Sequence, residues 1–504
     1  MHDAPLGAPL GAALAAAIAL FAPSTHAGPL TPPPGPPAPT LRTLAQVEPR
    51  TDVNSLPSTP SAQHAIGTPG SYYLTGNITN ASTTAISVQT SGVVIDLNGF
   101  TIDGAFFGGS LVRIDAPTGI VTIRNGTIRR AQGLTIDVLN TTTTRVVLED
   151  ITFDTCVGGV ELGTGGSVDR CQFLGLIGGS PVIVGLSNAQ VTDTLVENSA
   201  GVTLGDNAIV ERVRMRSIAG TAITAGDHAH ISTTVVNNTT GDGIATGASS
   251  RIVDSTVSDA GARGISTGGN SRVAGCIATG CGGSGIEAGI GSVITGCAAT
   301  SNLGSGIEAQ SRAVVVDSVA TLNTVYGISV GTQSVVTHCS AAQNGANGML
   351  AGPTSLVSRS AAAINVARGI EVGDGSAVHE VVSNSNGDAG IIAFSGSHVE
   401  SSTARLNGTH GIIATTAATV RNCTATDNGQ NSGTGAGIRA TGINSLIEAN
   451  IITGNDRGIE LVSTSSVAIR NRARDNGTNY LNVSQPIVSP FALTTASPWA
   501  NLSQ

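Results

Sequence analysis

The sequence contains no lysine and has few aromatic or charged residues. Of its 504 residues, 3% are aromatic and 11% are charged, and all 24 basic residues are arginine. A compact domain of this length would use more large side chains to fill a thick core. The formal net charge is −9, and no basic run offers the clustered cations that phosphate neutralisation requires. These absences exclude a nucleic-acid-binding protein and argue against a thick-cored globule.

Long hydrophobic runs are also absent after residue 27. The apolar stretch "GAALAAAIALF" at the N-terminus is too short to span a bilayer and is followed by the small residues Thr25 and Ala27 at cleavage spacing. We therefore predict a signal peptide over residues 1–27, although its start lacks a basic residue. Residues 28–40, "GPLTPPPGPPAPT", predict an extended linker. A secreted, cell-surface or periplasmic protein without a membrane span is expected.

Glycine is abundant, and much of it recurs at a fixed interval. Each glycine of one series is followed by Ile, except for one followed by Met349. The series has a spacing of 21 residues and comprises Gly243, Gly264, Gly285, Gly306, Gly327, Gly348, Gly369, Gly390 and Gly411. After Gly411 one interval is wider, and the next member is Gly437. A repeat of this strength determines the fold class.

Two further columns follow the same period. Apolar residues recur nine places after each glycine. Within a repeat, the residues expected to face the core are two positions apart, which is typical of strands and not of helices. Seventeen places after the glycine stands a column of seven asparagines: Asn302, Asn323, Asn344, Asn365, Asn386, Asn407 and Asn428. Asparagine tolerates the left-handed conformation of a tight turn, and stacked amides can bond to the copies above and below.

The period predicts an all-β parallel β-helix. At about 3.3 Å per residue, 21 residues trace roughly 70 Å, which is one circuit of three short strands. One circuit cannot offset its own ordering entropy, so stability must come from stacking. We predict an N-terminal cap and first strands over residues 41–90, roughly 18 coils over 91–476, and a C-terminal cap over 477–504 that contains Phe491 and Trp499.

The repeats "GIEAQSRAVVVDSVATLN" and "GISTGGNSRVAGCIATGC" resemble those of the pectate-lyase-like superfamily of right-handed, single-stranded parallel β-helices. The front segment "TPGSYYLTGNIT…VVIDLNGFTIDG" is similar to secreted bacterial members. The resemblance implies the right hand and an acidic polysaccharide as substrate class. The catalytic residues of the superfamily cannot be assigned to this sequence. Polygalacturonase-like members carry clustered Asp residues and a Gly-His-Gly on neighbouring coils, but the nearest matches here, "GDG" at 241–243 and "THG" at 409–411, lie on distant coils. Neither the calcium-binding Asp set of pectate lyases nor the Asp-Pro-His segment of alginate epimerases has a match.

The first candidate site is a pair of carboxylates. Glu287 and Glu308 occupy the same place in adjacent coils and point outward. Their backbones should lie about 4.8 Å apart, close enough to divide acid and base roles in catalysis. Glu161, Glu371 and Glu460 fill the same column elsewhere. The structural alternative is a solvated strand face.

The second candidate is a mixed binding site. Asp206 and Asp227 share a column beside His228, and two carboxylates with a histidine could bind a divalent cation such as Ca²⁺. Arg212, Arg214 and Arg216 alternate with apolar residues, so they should project from one face and suit uronate or sulfate oxygens. The alternative is a turn beside an ion-paired surface, with Asp193 stacked under Arg214.

The seven cysteines are an odd number, and five stand in an inward column. Side chains of Cys276 and Cys297, one coil apart, should run parallel, which fits disulfide geometry badly. We expect small buried side chains rather than disulfides or a metal site.

Two functional hypotheses follow. The protein binds or modifies an extracellular acidic polysaccharide, as a lyase, hydrolase or epimerase if it is an enzyme; alternatively, it is a non-catalytic structural or adhesive rod. In either case we expect a monomer with a uronate or sulfated glycan as partner and no certain cofactor.

Overall fold

The computed structural model describes residues 50–80, 83–106, 108–175, 178–429, 433–488 and 497–504. The predicted signal peptide and linker, and Phe491, lie outside these residues. Arg50–Gln504 forms one compact unit. Its strands pair in parallel with strands about one coil earlier and later, from Thr51 onward. The described residues contain a single 3₁₀ turn, Val53–Ser55, and no helix long and apolar enough to cross a bilayer.

The strands form three parallel faces, which we call A, B and C in chain order. Face A consists of His64–Ile66, Ile86–Val88, Val112–Ile114, Ile136–Val138, Val160–Gly163, Ile183–Gly185, Ile244–Thr246, Ile265–Thr267, Ile286–Ala288, Ile307–Ala309, Ile328–Val330, Met349–Ala351, Ile370–Val372, Ile391–Ala393, Ile412–Ala414, Ala436–Ala440, Arg457–Leu461 and Thr478–Leu481. Face B consists of Thr51–Asp52, Gly70–Tyr73, Val93–Asp96, Ser167–Asp169, Gln190–Thr192, Ile209–Glu211, His230–Ser232, Arg251–Val253, Arg272–Ala274, Val293–Thr295, Val314–Val316, Val335–Thr337, Leu356–Ser358, Ala377–His379, His398–Glu400, Thr419–Arg421, Leu446–Glu448 and Val467–Ile469.

Face C consists of Ile78–Thr79, Thr101–Asp103, Gln172–Leu174, Val235–Thr239, Thr256–Ala260, Ile277–Thr279, Ala298–Thr300, Val319–Thr321, Ser340–Ala342, Ala361–Ala363, Val382–Asn384, Thr403–Arg405, Thr424–Thr426, Ile451–Thr453, Arg472–Arg474 and Asn501–Ser503, the last with Ile487–Val488 beside it. Four longer strands span a corner: Gly119–Arg129 and Thr144–Asp154 join faces B and C, and Leu195–Leu204 and Arg214–Ala225 join faces C and A. There are about 20 coils in all. The 18 were predicted for residues 91–476, and strands such as His64–Ile66 and Thr478–Leu481 add coils outside that range.

The core runs along the inside of the three faces and is built mainly from Ile, Val and Ala. Ile307 on face A, Val315 on face B and Ala320 on face C have no exposed surface. Small and β-branched side chains fit this narrow interior because it offers little depth for larger ones. Two aromatic rings are the exception: Phe153 and Phe173 stack on adjacent coils with centroids 4.5 Å apart.

The predicted asparagine column forms a buried hydrogen-bonded ladder. The side-chain amide of Asn344 donates to Oδ1 of Asn365 at 2.9 Å, and the backbone N–H of Asn344 donates to the same oxygen at 3.1 Å. The same amide also donates to the carbonyl of Ala320 at 3.1 Å. Each asparagine therefore ties three coils together, which confirms that equivalent residues of successive repeats lie over one another.

The thiols confirm the expectation for the cysteines: all seven are buried and free. Burial raises the pKa of Cys171 to about 12. A thiol that stays protonated and inaccessible is a poor nucleophile and a poor metal ligand. These residues fill space in the core.

Near the N-terminal end, Asp103 is held by two arginines. Nε of Arg130 donates to its Oδ1 at 2.8 Å and Nε of Arg129 to its Oδ2 at 3.0 Å, and the hydrogen bonds from Arg130 are the main reason why the pKa of Asp103 falls from 3.8 to about 2. Because the folded-state pKa is below the unfolded one, this contribution to stability is complete above pH 3.8 and is lost as the pH falls to about 2.

We expect Asp103→Asn to remove that part of the pH dependence. The difference in free energy of unfolding between wild type and variant, measured by urea titration, should shrink as the pH is lowered from 5 to about 2. Asp475→Asn serves as the control because the Asp475 side chain is 73% exposed. A wild-type advantage over Asp103→Asn that is constant across this range would contradict the assignment.

Candidate functional site

The predicted arginine row lies on face C and at the corner before it. Met215 and Val213 point into the core, with 2% and 0% of their surface exposed, so Arg214 and Arg216 point outward on the strand Arg214–Ala225. Arg212 sits at the corner between faces B and C with a left-handed φ of 54°. Arg214 and Arg216 therefore lie on one face, whereas Arg212, which the sequence placed on that same face, lies at the corner.

The three arginines differ in their acidic partners. Arg212 forms a bidentate pair with Asp193, with Nε–Oδ1 2.7 Å and Nη2–Oδ2 2.8 Å, and also contacts Glu211. The guanidinium of Arg212 lowers the pKa of Asp193, and Asp193 in turn raises that of Arg212. Arg216 is 3.6 Å from Glu197, with 68% of its side chain exposed. No carboxylate oxygen of the described residues lies within 4.0 Å of the Arg214 guanidinium.

The expected stacking of Asp193 under Arg214 is wrong. Leu195 is the register partner of Arg214, and Asp193 pairs with Arg212. The cause is local coil length, because the coil in which Ile183 pairs with Val202 is shorter than the regular repeat. The preceding coil, in which Val160 pairs with Ile183, is longer by the same amount. The two irregularities therefore cancel and are invisible in the spacing of the outer repeats.

Two surface depressions meet at Arg214. One has a volume of 490 Å³ and extends towards Arg212; the other has 510 Å³ and extends towards Arg216. Both are also lined by Leu195 and Val235. The Arg214 guanidinium, which has no acidic partner among the described residues, thus lies between two depressions with an apolar wall. This arrangement can hold an anionic group attached to a ring with an apolar face.

The predicted cation ligands lie elsewhere, at the corner between faces A and B. Oδ1 of Asp206 accepts the backbone N–H of Asp227 at 2.9 Å, and Oδ1 of Asp227 accepts that of Ala248 at 2.7 Å. These carboxylates join consecutive coils, and His228 occupies a left-handed position beside them. Among the described residues no group of three or more His, Cys, Asp or Glu side chains is placed to hold a metal ion, so the geometry gives no support to Ca²⁺ binding here.

The paired glutamates are in register on face A, as the spacing indicated. Glu287 forms an ion pair with Arg263 at 3.0 Å, and Glu308 accepts a hydrogen bond from Ser284 at 2.9 Å. Glu371, of the same column, is likewise bound to Arg368 at 2.7 Å. Each of these carboxylates has a partner from its own or a neighbouring coil, as expected if the column is part of a solvated strand face. Their catalytic role stays a prediction.

Part of the chain matches a known family. Residues 219–362 match the family model described as right handed beta helix region. These residues are consecutive coils of the solenoid, and the strands on either side continue the same pairing. The chain is a right-handed parallel β-helix repeat protein. No curated protein sequence matches it.

Solved structures similar to this β-helix repeat protein are distant in sequence. The A-module of the mannuronan C-5 epimerase AlgE6 from Azotobacter vinelandii is 11% identical, with 84% of this chain and 98% of that chain covered and a TM-score of 0.24. A double mutant of the periplasmic alginate epimerase AlgG is 11% identical, covering 83% and 84%, with a TM-score of 0.24. The catalytic domain of a GH87 α-1,3-glucanase is 10% identical, covering 71% and 64%, with a TM-score of 0.24. No residue role is transferred from them.

The β-helix repeat protein also has a polar cluster that sequence reasoning missed, around His410. Nδ1 of His410 accepts the backbone N–H of Ala436 at 2.8 Å, and Nη1 of Arg439 lies 3.3 Å from Nε2. Burial is the main cause that lowers the pKa of His410, and the charge of Arg439 adds to it. Glu460, with 9% of its side chain exposed, contacts Arg439 and Arg457. The neutral imidazole anchors the chain where it returns from the wider interval after Gly411.

A third depression, on face B, was also not foreseen. It has a volume of 520 Å³ and is lined by His379, His398 and Glu400, among others. Glu400 is paired with Arg421 at 2.8 Å. The members of this group lie on successive coils and are therefore about one repeat apart along the chain. They can be found in the sequence only by aligning the outward first and third positions of successive face B strands.

Proposed function

We propose that this β-helix repeat protein binds an acidic polysaccharide along face C, with Arg214 and Arg216 as ligands for carboxylate or sulfate groups. The observation that carries the proposal is the Arg214 guanidinium, which has no acidic partner among the described residues and lies between two depressions. A planar guanidinium offers parallel N–H donors that match the two oxygens of a carboxylate.

The surroundings of Arg214 suit a sugar as well as a charge. Leu195 and Val235 form an apolar wall in both depressions, and Val235 is 44% exposed. A pyranose ring presents a C–H face that can pack on such side chains. The parallel faces extend over many coils, so a linear polymer can follow them without bending. A secreted or periplasmic location, as predicted from residues 1–27, would bring the protein to such polymers.

Retention on immobilised alginate or pectate tests the proposal. We expect Arg214→Ala combined with Arg216→Ala to elute at clearly lower salt, with affinity about tenfold weaker, because two charge-assisted contacts are lost. Arg405→Ala is the control for Arg216: Arg405 occupies the same third position of a face C strand and, like Arg216, has a carboxylate at 3.6 Å, but it does not lie beside Arg214. If the double variant is retained like wild type, the proposed site is wrong.

Modification of the polymer is the second candidate function, and the in-register Glu287 and Glu308 are its residues. Incubation with pectate, alginate and a sulfated glycan should then give unsaturated products or new reducing ends, and Glu287→Gln should abolish them. Retention without any product would select the binding role and leave these glutamates as structural residues.

A further inference from the structure

Face B carries two arginines in direct register. Arg251 and Arg272 are first-position residues of adjacent strands and pair with each other across the coils, and His230 precedes them in the same column. Both arginine side chains are exposed. Among the register pairs of the described strands, Arg251–Arg272 is the only one that places arginine opposite arginine.

At several other arginines a neighbouring coil supplies an acidic side chain. Arg359 pairs with Glu380 at 3.0 Å, and Arg421 with Glu400 at 2.8 Å. Even in the column of glutamates that contains Glu287, the repulsion between like charges is reduced by the ion pair of Glu287 with Arg263. Among the described residues, the Arg251–Arg272 pair lacks such an acidic neighbour and also places two cations in register.

Within the part of the chain that the structure describes, no counter-charge meets this pair. In the five face B strands between Ile209 and Thr295 the one acidic residue is Glu211, which contacts Arg212. Asp227 and Asp254, at the corners on either side, place no carboxylate oxygen within 4.0 Å of either guanidinium. Cations in register on adjacent strands repel each other, so the bare pair is destabilising.

The side chains beside the arginines leave the pair accessible. The third positions of these two strands are Val253 and Ala274, which are short and uncharged. The two strands lie about 4.8 Å apart, so both guanidinium groups can reach one anion from the same side and offer it several N–H donors. An anion whose oxygens point in several directions can accept hydrogen bonds from both guanidinium groups at once. A carboxylate has two oxygens in one plane, which a single guanidinium group already matches.

We propose that Arg251 and Arg272, with His230 at the end of the column, form a binding site for a tetrahedral oxyanion of the sulfate or phosphate class. The site lies on face B and does not depend on the carboxylate-binding role proposed for Arg214 on face C. Its ligand is a free dianion or the same group carried as an ester on a polymer.

Calorimetric titration with inorganic sulfate against chloride at constant ionic strength tests the site. We expect wild type to bind sulfate, and Arg251→Gln with Arg272→Gln to bind it about tenfold more weakly. Arg312→Gln is the control, because it makes a single charge change at an exposed arginine whose equivalents one coil away are Gly291 and Gln333. Absence of sulfate binding in wild type, or an equal loss in the control, overturns the proposal.

Thermal unfolding gives a second readout that does not rely on weak binding. Without sulfate, Arg251→Gln should unfold at a higher temperature than Arg312→Gln, because it removes the repulsion within the pair. Added sulfate should then raise the midpoint of wild type more than that of Arg251→Gln. Equal midpoints and equal responses of the two variants would refute a paired site.

Dextran sulfate and inorganic sulfate, compared at equal sulfate concentration, separate the two sources of the anion. Tighter binding of the polymer identifies an ester on a glycan, and equal binding identifies the free ion; both require intact Arg251 and Arg272. Alginate retention of the Arg251→Gln, Arg272→Gln protein should stay unchanged, so that a failure here is distinguishable from a failure of the face C proposal.

Discussion

Asn344→Ala is expected to lower the free energy of unfolding by about 4 kcal/mol. Oδ1 of Asn344 accepts both the backbone N–H and the side-chain amide of Asn323, at 3.1 and 3.0 Å, and its own amide reaches Ala320 and Asn365. Alanine fills none of these roles. The backbone N–H and one amide hydrogen of Asn323 would remain buried without partners, and each such group is costly.

Urea unfolding followed by circular dichroism measures this loss, and hydrogen exchange at Asn323 locates it. Because each coil contacts only its neighbours, exchange should accelerate most in the coils that adjoin Asn344. Ser340→Ala is the control, since Ser340 points outward on face C of the same coil and makes no ladder bond. A loss below about 1 kcal/mol would mean that water or a rearranged amide replaces the ladder.

Gly327→Ala should cost about 3 kcal/mol, for a steric reason. A Cβ at this position would lie 2.6 Å from Nδ2 of Asn344 and 2.6 Å from the carbonyl oxygen of Gly348. That carbonyl accepts the backbone N–H of Ile328 at 2.9 Å. The two coils would have to separate where the ladder and face A meet, so one methyl group disturbs both.

The control for Gly327→Ala is Gly179→Ala, because a Cβ on Gly179 meets nothing within 4 Å. Its midpoint in urea should stay close to that of wild type, while the Gly327→Ala midpoint falls. If both variants unfold alike, the recurring glycines reflect sequence drift and not a steric requirement of the corner.

The period of the sequence predicts most of the fold, because one spacing determines both the register and the direction of each side chain. The alternation around Val213 and Met215 and the stack of Asn344 on Asn365 follow from it directly. The period fails where coils change length, and Asp193 was therefore assigned to the wrong arginine. A second ladder, from Asn450 through Asn471 to Asn501, was also missed because it begins where the cysteine column ends.

The candidate site was less predictable than the fold. Spacing shows that Arg214 and Glu287 point outward, but it does not show whether a neighbouring coil supplies a counter-charge. Glu287 is paired with Arg263, whereas Arg214 has no acidic partner in the described part of the chain, and this difference depends on side chains of the adjacent coils. The cluster at His410 depends in addition on the wider interval that follows it.

The stacking of equivalent residues makes length an adjustable property of this protein. Adding or removing one complete repeat unit leaves every remaining side chain over its counterpart and moves the trailing end by about 4.8 Å. Duplication of short stretches of the coding sequence can therefore extend or shorten the molecule in equal increments. The separation between Arg214 and the trailing end of the solenoid is then set by how many copies of the unit the gene retains.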